Sequence, residues 1–181
     1  MSDVVVETKR LILRLPRPSD RPALIAMFAD PLVMADLGPV KDEAATDAAL
    51  AKHEVSRHEG LGFWVVERRE DGAVIGFCGL KRGDTYNPIA GEVEAGWIID
   101  RPYWRQGYAL EAMVAALRWG WAHCDAARIV AITSAVNLKS QAMMERLEMY
   151  RLADGDFEHT QVADGSRLKS MVTFAIDRPS A

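Results

Sequence analysis

Two rhythms of apolar and polar residues alternate along the chain, one with the period of a strand and one with the period of a helix. Alternation predicts a strand over Arg10–Leu15. Ser19 or Asp20 then stands where a helix cap belongs, ahead of Leu24, Ile25, Met27 and Phe28 at helical spacing, and a further helix is predicted from Glu43 to His58. Phe63–Arg69 and Val74–Leu80 flank Glu70, Asp71 and Gly72, the pattern of a β-hairpin with a short glycine turn. Val93–Ile99 reads as the next strand, stopped by Asp100, Arg101 and Pro102. A long amphipathic helix follows from Tyr108 to Cys124, with Met113, Ala116, Leu117 and Gly120 on one face. Strand Arg128–Ser134, helix Leu138–Leu147, a strand near Tyr150–Ala153 and strand Leu168–Ile176 complete the order.

This order implies an α/β fold with a mixed sheet. Strand, crossover helix and strand between Val93 and Ser134 call for a parallel pair with a right-handed crossover, whereas the earlier hairpin is antiparallel. No repeat interrupts the order, and 181 residues with 49% hydrophobic and 27% charged content suit one domain over 1–181. A net charge of -4 argues against nucleic-acid binding, although a local basic patch remains compatible with phosphates. Cys78 and Cys124 are expected to be free thiols, and the histidines lack metal-ligand spacing, so no metal site is expected. The first ten residues lack the apolar run of a signal peptide and no segment has the length of a membrane helix, so a cytoplasmic protein without a membrane partner is expected.

The chemistry concentrates at Trp104–Ala109, a glycine-containing turn between a strand and a helix. Backbone N–H groups at a helix start have no intrahelical partner, and together with the helix dipole they suit a phosphate or pyrophosphate. The dipole alone supplies about 0.3 to 2 kcal/mol. Gly107 lets an anion approach the backbone closely. Neither G-x-x-x-x-G-K-[ST] nor a strand-linked G-x-G-x-x-G occurs, which removes support for an NTPase or a dinucleotide enzyme.

Tyr103–Met113, YWRQGYALEAM, resembles the acetyl-coenzyme A loop of the GNAT acetyltransferase superfamily, whose common form is [QR]-x-x-G-x-[GA]. Trp104 stands where that form has Gln or Arg, but the Tyr-Trp pair resembles the branch that contains the ribosomal-protein N-terminal acetyltransferases. Glu7–Leu15 with Ser19 and Asp20, and Asn137–Met149 with its N-x-x-S opening, resemble the same branch. The resemblance implies a GNAT-like mixed β-sheet, splayed at its centre and flanked by helices, with acetyl-CoA as cosubstrate and its pantetheine arm between the strands Val93–Ile99 and Arg128–Ser134.

Cofactor contacts are then expected from backbone N–H groups of Gln106, Gly107, Tyr108 and Ala109, with Arg105 adding charge at the rim. By resemblance, Ile98 and Ile99 pair with pantetheine amides, Asn137 hydrogen-bonds the coenzyme and Ser140 faces its thiol. Asn137 is equally placed to cap the helix that begins at Leu138. The implied reaction is direct attack of an amine on the acetyl thioester, which calls for a base because amines are largely protonated at neutral pH. Glu94 is the candidate base, with Glu92 or water as substitutes. Ser140 is the candidate acid for the departing thiolate, because Met144 occupies the position where many members carry Tyr, and Glu148 replaces the usual Gly four residues later.

Resemblance favours the α-amine of a protein as acceptor, and small-molecule amines are also used in such families. The segments Asp20–His58 and Asp154–Leu168 are expected to face it, their acidic residues Asp36, Asp42, Glu43, Asp47, Asp154, Asp156 and Glu158 suiting a cationic acceptor. Trp64, Trp97, Trp119 and Trp121 are expected in the core, and Lys9, Arg10 and Arg14 on a solvated strand face. A non-catalytic acetyl-CoA sensor is the alternative reading, and a homodimer is left open.

Overall fold

The computed structural model describes residues 3–58 and 60–180; Met1, Ser2, Glu59 and Ala181 lie outside the described residues. The amino-terminal apolar run forms two short strands rather than one, β1 (Val4–Glu7) and β2 (Leu11–Arg14), antiparallel to each other. Four polar residues, Glu7–Arg10, separate their apolar stretches, and the chain turns there with the Thr8 hydroxyl accepting the Leu11 N–H at 2.9 Å. Helix α1 (Arg21–Ala29) follows a single 3-10 turn, and a short α2 (Pro31–Met34), whose first turn is capped by Asp30, leaves no periodic signal in the sequence. Helix α3 spans Glu43–His58.

The hairpin β3 (Gly62–Arg68) and β4 (Val74–Arg82) leads to β5 (Val93–Ile99), helix α4 (Tyr108–His123) and β6 (Arg128–Ser134). Helix α5 (Leu138–Arg146), the two-residue strands β7 (Tyr150–Arg151) and β8 (Phe157–Glu158), and β9 (Ser170–Asp177) complete the chain. One sheet runs β1, β2, β3, β4, β5, β6, β9, β7, with β8 also on β9. It is antiparallel except at β5–β6. That parallel pair spans the crossover through α4, as the strand–helix–strand pattern requires.

Opposite sheet faces carry different cores, because successive strand residues alternate. Leu11, Leu13, Trp64, Val66, Ile75, Leu80, Val93 and Ala95 meet Ala112, Met113, Ala116 and Leu117 of α4. Val65 and Phe77, with Ile98 packed alongside, meet Leu24, Met27 and Phe28 of α1 and Val33 and Met34 of α2. Burying these large side chains contributes about 1.5 to 3 kcal/mol apiece. Trp97, Trp119 and Trp121 pack against the α4-side core as expected. Cys78 is a buried free thiol and Cys124 a half-buried one.

Arg14 is not solvated. It is 2% exposed, donates to both oxygens of Asp20 at 2.7 and 2.8 Å and to Glu67 at 2.6 Å. Burial by itself would raise the Asp20 pKa, but Arg14 and the Arg17 N–H hold it below the ordinary 3.8. Asp20 therefore ties β2 to the start of α1 instead of capping that helix with its side chain. Arg10 is likewise engaged, by Glu111 of α4 at 2.6 Å.

Candidate active site

The sheet opens where the chemistry is expected. β5 and β6 pair only at Val93 with Ile129 and Glu94 with Val130, although β5 continues to Ile99 and β6 to Ser134. The direction of the free main-chain groups follows from the neighbouring ladder. Gly83 N–H donates to Glu92 O and Asp100 N–H to Ile75 O, both at 2.8 Å, and the β4–β5 register between them is unshifted. Antiparallel alternation then commits the main chain of Glu94, Gly96 and Ile98 to β4 and turns that of Trp97 and Ile99 toward the opening. Ile98 instead points its side chain into the α1–α2 core. The Ile99 carbonyl is already occupied by the Trp104 indole N–H at 2.6 Å.

Beside the opening, Gly107 at φ 79 precedes α4 and offers no side-chain cap. The first N–H groups of α4 therefore have no acceptor from their own helix. Arg105 also adopts a left-handed conformation, φ 60, which a non-glycine residue holds only at a cost of about 1 to 2 kcal/mol. The turn is braced from the β1–β2 connection. Arg10 donates to Gln106 O at 2.9 Å, and its guanidinium lies 4.5 Å from the Tyr108 ring centroid. Glu111 accepts from the Thr8 hydroxyl at 2.6 Å and from the Arg10 N–H at 2.9 Å. A Cβ on Gly107 would meet only Arg10 Nη2 at 3.4 Å, so glycine is demanded by the backbone angle and leaves the cradle open.

Helix α5 begins differently. Asn137 is buried, and its Oδ1 accepts the Ser140 N–H at 3.2 Å while Nδ2 donates to Thr133 Oγ1 and Ser140 Oγ, each at 3.0 Å. Both Nδ2 protons are thus used, and Asn137 caps the helix and orients Ser140. Because Ser140 Oγ accepts from Asn137, its own proton remains available to another acceptor. Met144 is 1% exposed within the α4-side core, so that position presents nothing to the opening. Glu148 takes φ 62, and the turn after α5 survives without glycine.

Glu94 is 8% exposed on the α1–α3 side of β5, next to Gly96. Its Oε2 accepts from Lys81 Nζ at 2.5 Å, and Lys81 also reaches Asp84 at 3.1 Å. Burial raises the Glu94 pKa above the ordinary 4.5 while Lys81 pulls it down. Asp84 extends the network to Lys52 of α3 at 2.7 Å. Glu92 is separated from it, paired with Arg128 at the closed end of β5–β6. The acidity expected of the acceptor segments is largely balanced within the protein: Glu43 and Asp47 pair with Arg21, Asp36 with Arg167, and Asp156 with Arg151.

A cleft of about 570 Å³ joins the β5–β6 opening, the Gly107 turn and the start of α5, lined by Trp97, Ile99, Gly107, Ala109, Asn137 and Ser140 but not by Glu94. Arg105, Lys139 and Arg146 also line it, and among the described residues none of the three has a carboxylate partner. Lys139 lies in the first turn of α5, where the helix dipole disfavours a cation, and its Nζ is held 5.0 Å from the Trp104 ring centroid. An acidic protein thus keeps three uncompensated cations around one cleft. Sequence reasoning found the loop and Ser140 but missed Lys139, Arg146 and Trp97.

A parallel strand pair opens beside an uncapped helix start, with cations around the gap. The family model described as an acetyltransferase (GNAT) domain matches residues 10–150. The chain therefore belongs to the GNAT acetyltransferase family, whose members use acetyl-CoA, and it is an acetyltransferase. It is 28% identical over 147 residues to the protein YkkB of Bacillus subtilis (strain 168), covering 79% of this chain and 83% of that one. An acetyltransferase structure from Agrobacterium tumefaciens str. C58 is 25% identical with a TM-score of 0.78, over 97% of this chain and 95% of that one. The same fold occurs in RimL, a ribosomal L7/L12 α-N-protein acetyltransferase solved with coenzyme A, at 17% identity and TM-score 0.76 over 96% and 97% of the two chains. The helices of the described residues include none long and apolar enough to cross a membrane.

Proposed function

We propose that this protein, working as one cytoplasmic domain, transfers acetyl from acetyl-CoA to a primary amine by direct attack. The observation that carries this reading is the opening of β5–β6 beside the uncapped start of α4, with Trp97 and Ile99 turned into the gap. The residues present fit the donor. N–H groups of Gln106, Gly107, Tyr108 and Ala109 would receive its pyrophosphate, Arg105 would add charge, and Trp97 with the Ile99 N–H would pair with pantetheine amides. Ile98, its main chain engaged by β4 and its side chain packed against the α1–α2 core at the edge of the cleft, would not pair with the amides.

In the reaction, the amine nitrogen bonds to the acetyl carbonyl carbon and the carbon–sulfur bond breaks. The attacking nitrogen loses a proton to Glu94, directly or through water, and the departing sulfur takes one from the hydroxyl of Ser140, oriented by Asn137, as water returns a proton to Ser140 in the same relay. General acid and base participation of this kind is worth about 10² to 10⁴ in rate. The RimL likeness, a likeness of fold, makes a protein N-terminal amine the first acceptor to try, followed by small-molecule amines.

Calorimetry with acetyl-CoA tests the donor site, using the native chain and Gly107→Glu, which places bulk and negative charge in the cradle. Micromolar binding lost in the variant supports the reading; a folded native protein that binds no acetyl-CoA refutes it. Buried Met144 favours a second reading, a sensor that binds the donor without using it. Thiol release with a panel of amines separates the two: turnover that falls in Ser140→Ala identifies the enzyme, and binding without turnover identifies the sensor.

A further inference from the structure

Coenzyme A does not end at its pyrophosphate: beyond it lies an adenosine that carries a separate 3′-phosphate. Where that far end sits rests on the proposed binding of acetyl-CoA as donor. With the arm in the β5–β6 opening and the pyrophosphate on the turn at Gly107, the adenosine continues along the cleft between α4 and α5. The cleft wall there consists of Leu110 from α4 and Ala142, Met143 and Arg146 from α5.

Lys139, Ala142, Met143 and Arg146 are spaced i, i+3, i+4 and i+7, so they form a single stripe on α5, about 10 Å long from the helical rise. The stripe reads cation, small apolar, flexible apolar, cation. Its two cations are not equivalent. Lys139 rests on Trp104, whereas Arg146 is exposed and, among the described residues, has neither a carboxylate nor an aromatic ring as partner. Several other arginines are tied to carboxylates, among them Arg21 with Asp47, Arg68 with Asp71 and Arg151 with Asp156. A free guanidinium at the end of an apolar strip is matched to a ligand with a flat base and a phosphate beside it, and arginine presents the planar fork that binds phosphate in bidentate fashion.

We propose that Arg146 reads the 3′-phosphate of coenzyme A, with Ala142 and Met143 as the floor beneath the adenosine, so that the protein distinguishes acetyl-CoA from its 3′-dephospho analogue. A cation in the last turn of α5 also favours the helix dipole, but that contribution does not depend on which donor is bound.

The test is a two-by-two comparison of dissociation constants: acetyl-CoA and acetyl-3′-dephospho-CoA, each with the native protein and Arg146→Gln. The native protein is expected to favour acetyl-CoA by about tenfold to a hundredfold, the range of a hydrogen bond to a charged group. In Arg146→Gln that preference should collapse toward unity, with binding of the dephospho donor unchanged, and Arg146→Lys should restore part of it. No native preference, or one that survives in a folded Arg146→Gln protein, overturns the assignment while leaving the donor site intact. A native protein that binds neither donor refutes the coenzyme reading itself.

Discussion

The indole N–H of Trp104 donates to the carbonyl of Ile99 at 2.6 Å, closing the last strand-end acceptor that faces the β5–β6 opening. A single side chain therefore takes the Ile99 carbonyl out of the set of main-chain groups open to a ligand in the gap. It also joins the α1–α2 core to the cleft, because Trp104 packs against that core while Lys139 lies over its ring.

Trp104→Phe keeps an aromatic ring beneath Lys139 and removes the hydrogen-bond donor. A net hydrogen bond is worth about 1 kcal/mol, so freeing the Ile99 carbonyl for a pantetheine amide should lower the KM for acetyl-CoA by up to about fivefold with little change in kcat. Steady-state kinetics with saturating amine measure this; an unchanged KM would mean that the Ile99 carbonyl does not matter to donor binding.

Glu94 must be ionised to accept a proton, and burial raises its pKa while Lys81 partly opposes the rise. Activity should consequently decline on the acid side at a pH above the ordinary glutamate value of 4.5. Glu94→Gln should lower kcat by about 10² to 10⁴ and abolish that acid limb, whereas a stability role alone would leave it in place. A pH profile of kcat/KM for both proteins, with thermal melts as control, decides the matter.

Glu148→Gly should stabilise the fold. Glu148 holds φ 62, a conformation costing an L-residue about 1 to 2 kcal/mol, and glycine would relieve this against its own entropic penalty of about 0.5 to 1 kcal/mol. The melting temperature should rise by about 2 °C, given roughly 2 to 4 °C per kcal/mol in a chain of this size. Differential scanning calorimetry would show the opposite sign if side-chain contacts of Glu148 and the entropy of glycine outweigh the strain.

His53 is stacked on Phe63 with ring centroids 4.1 Å apart, and burial, then the nearby cations Lys81, Lys52 and Arg57, push its pKa from 6.5 down to about 4. The unfolded chain therefore takes up this proton first as pH falls. Its stabilising contribution is complete above pH 6.5 and is lost progressively down to about pH 4. The loss is on the order of 3 kcal/mol. Urea unfolding at pH 7 and pH 5 should show a weaker pH dependence in His53→Leu than in the native protein.

Elements whose character is set by their own residues were legible in the chain. Helix α3 and strands β5 and β6 begin and end where periodicity and stop signals place them. Features set by distant partners were not. Arg10 is held against the sheet because Glu111, a hundred or so residues away, accepts from it, and Arg14 points inward because Asp20 and Glu67 meet it there. The site shows the same division. The Gly107 turn and the Asn137–Ser140 pair follow local rules, whereas the choice of Trp97 over Ile98 as the residue whose main chain faces the gap depends on the register of β4. Arg146 was hidden for another reason: an exposed lysine or arginine becomes informative only once its lack of a partner is known.

The two-residue link between β5 and β6 would give the proposed donor a second role. Among the described residues the strand ladder joins the two halves of the sheet at Val93–Ile129 and Glu94–Val130 alone, so a pantetheine arm bound in the gap as proposed would act as a surrogate strand, and the substrate would become part of the scaffold that processes it. Ligand present at a hundred times its dissociation constant adds about 2.7 kcal/mol to a native state that alone can bind it. Resistance to unfolding and proteolysis would then follow donor supply, so that scarcity of acetyl-CoA slows the reaction and also shortens the life of the protein that performs it.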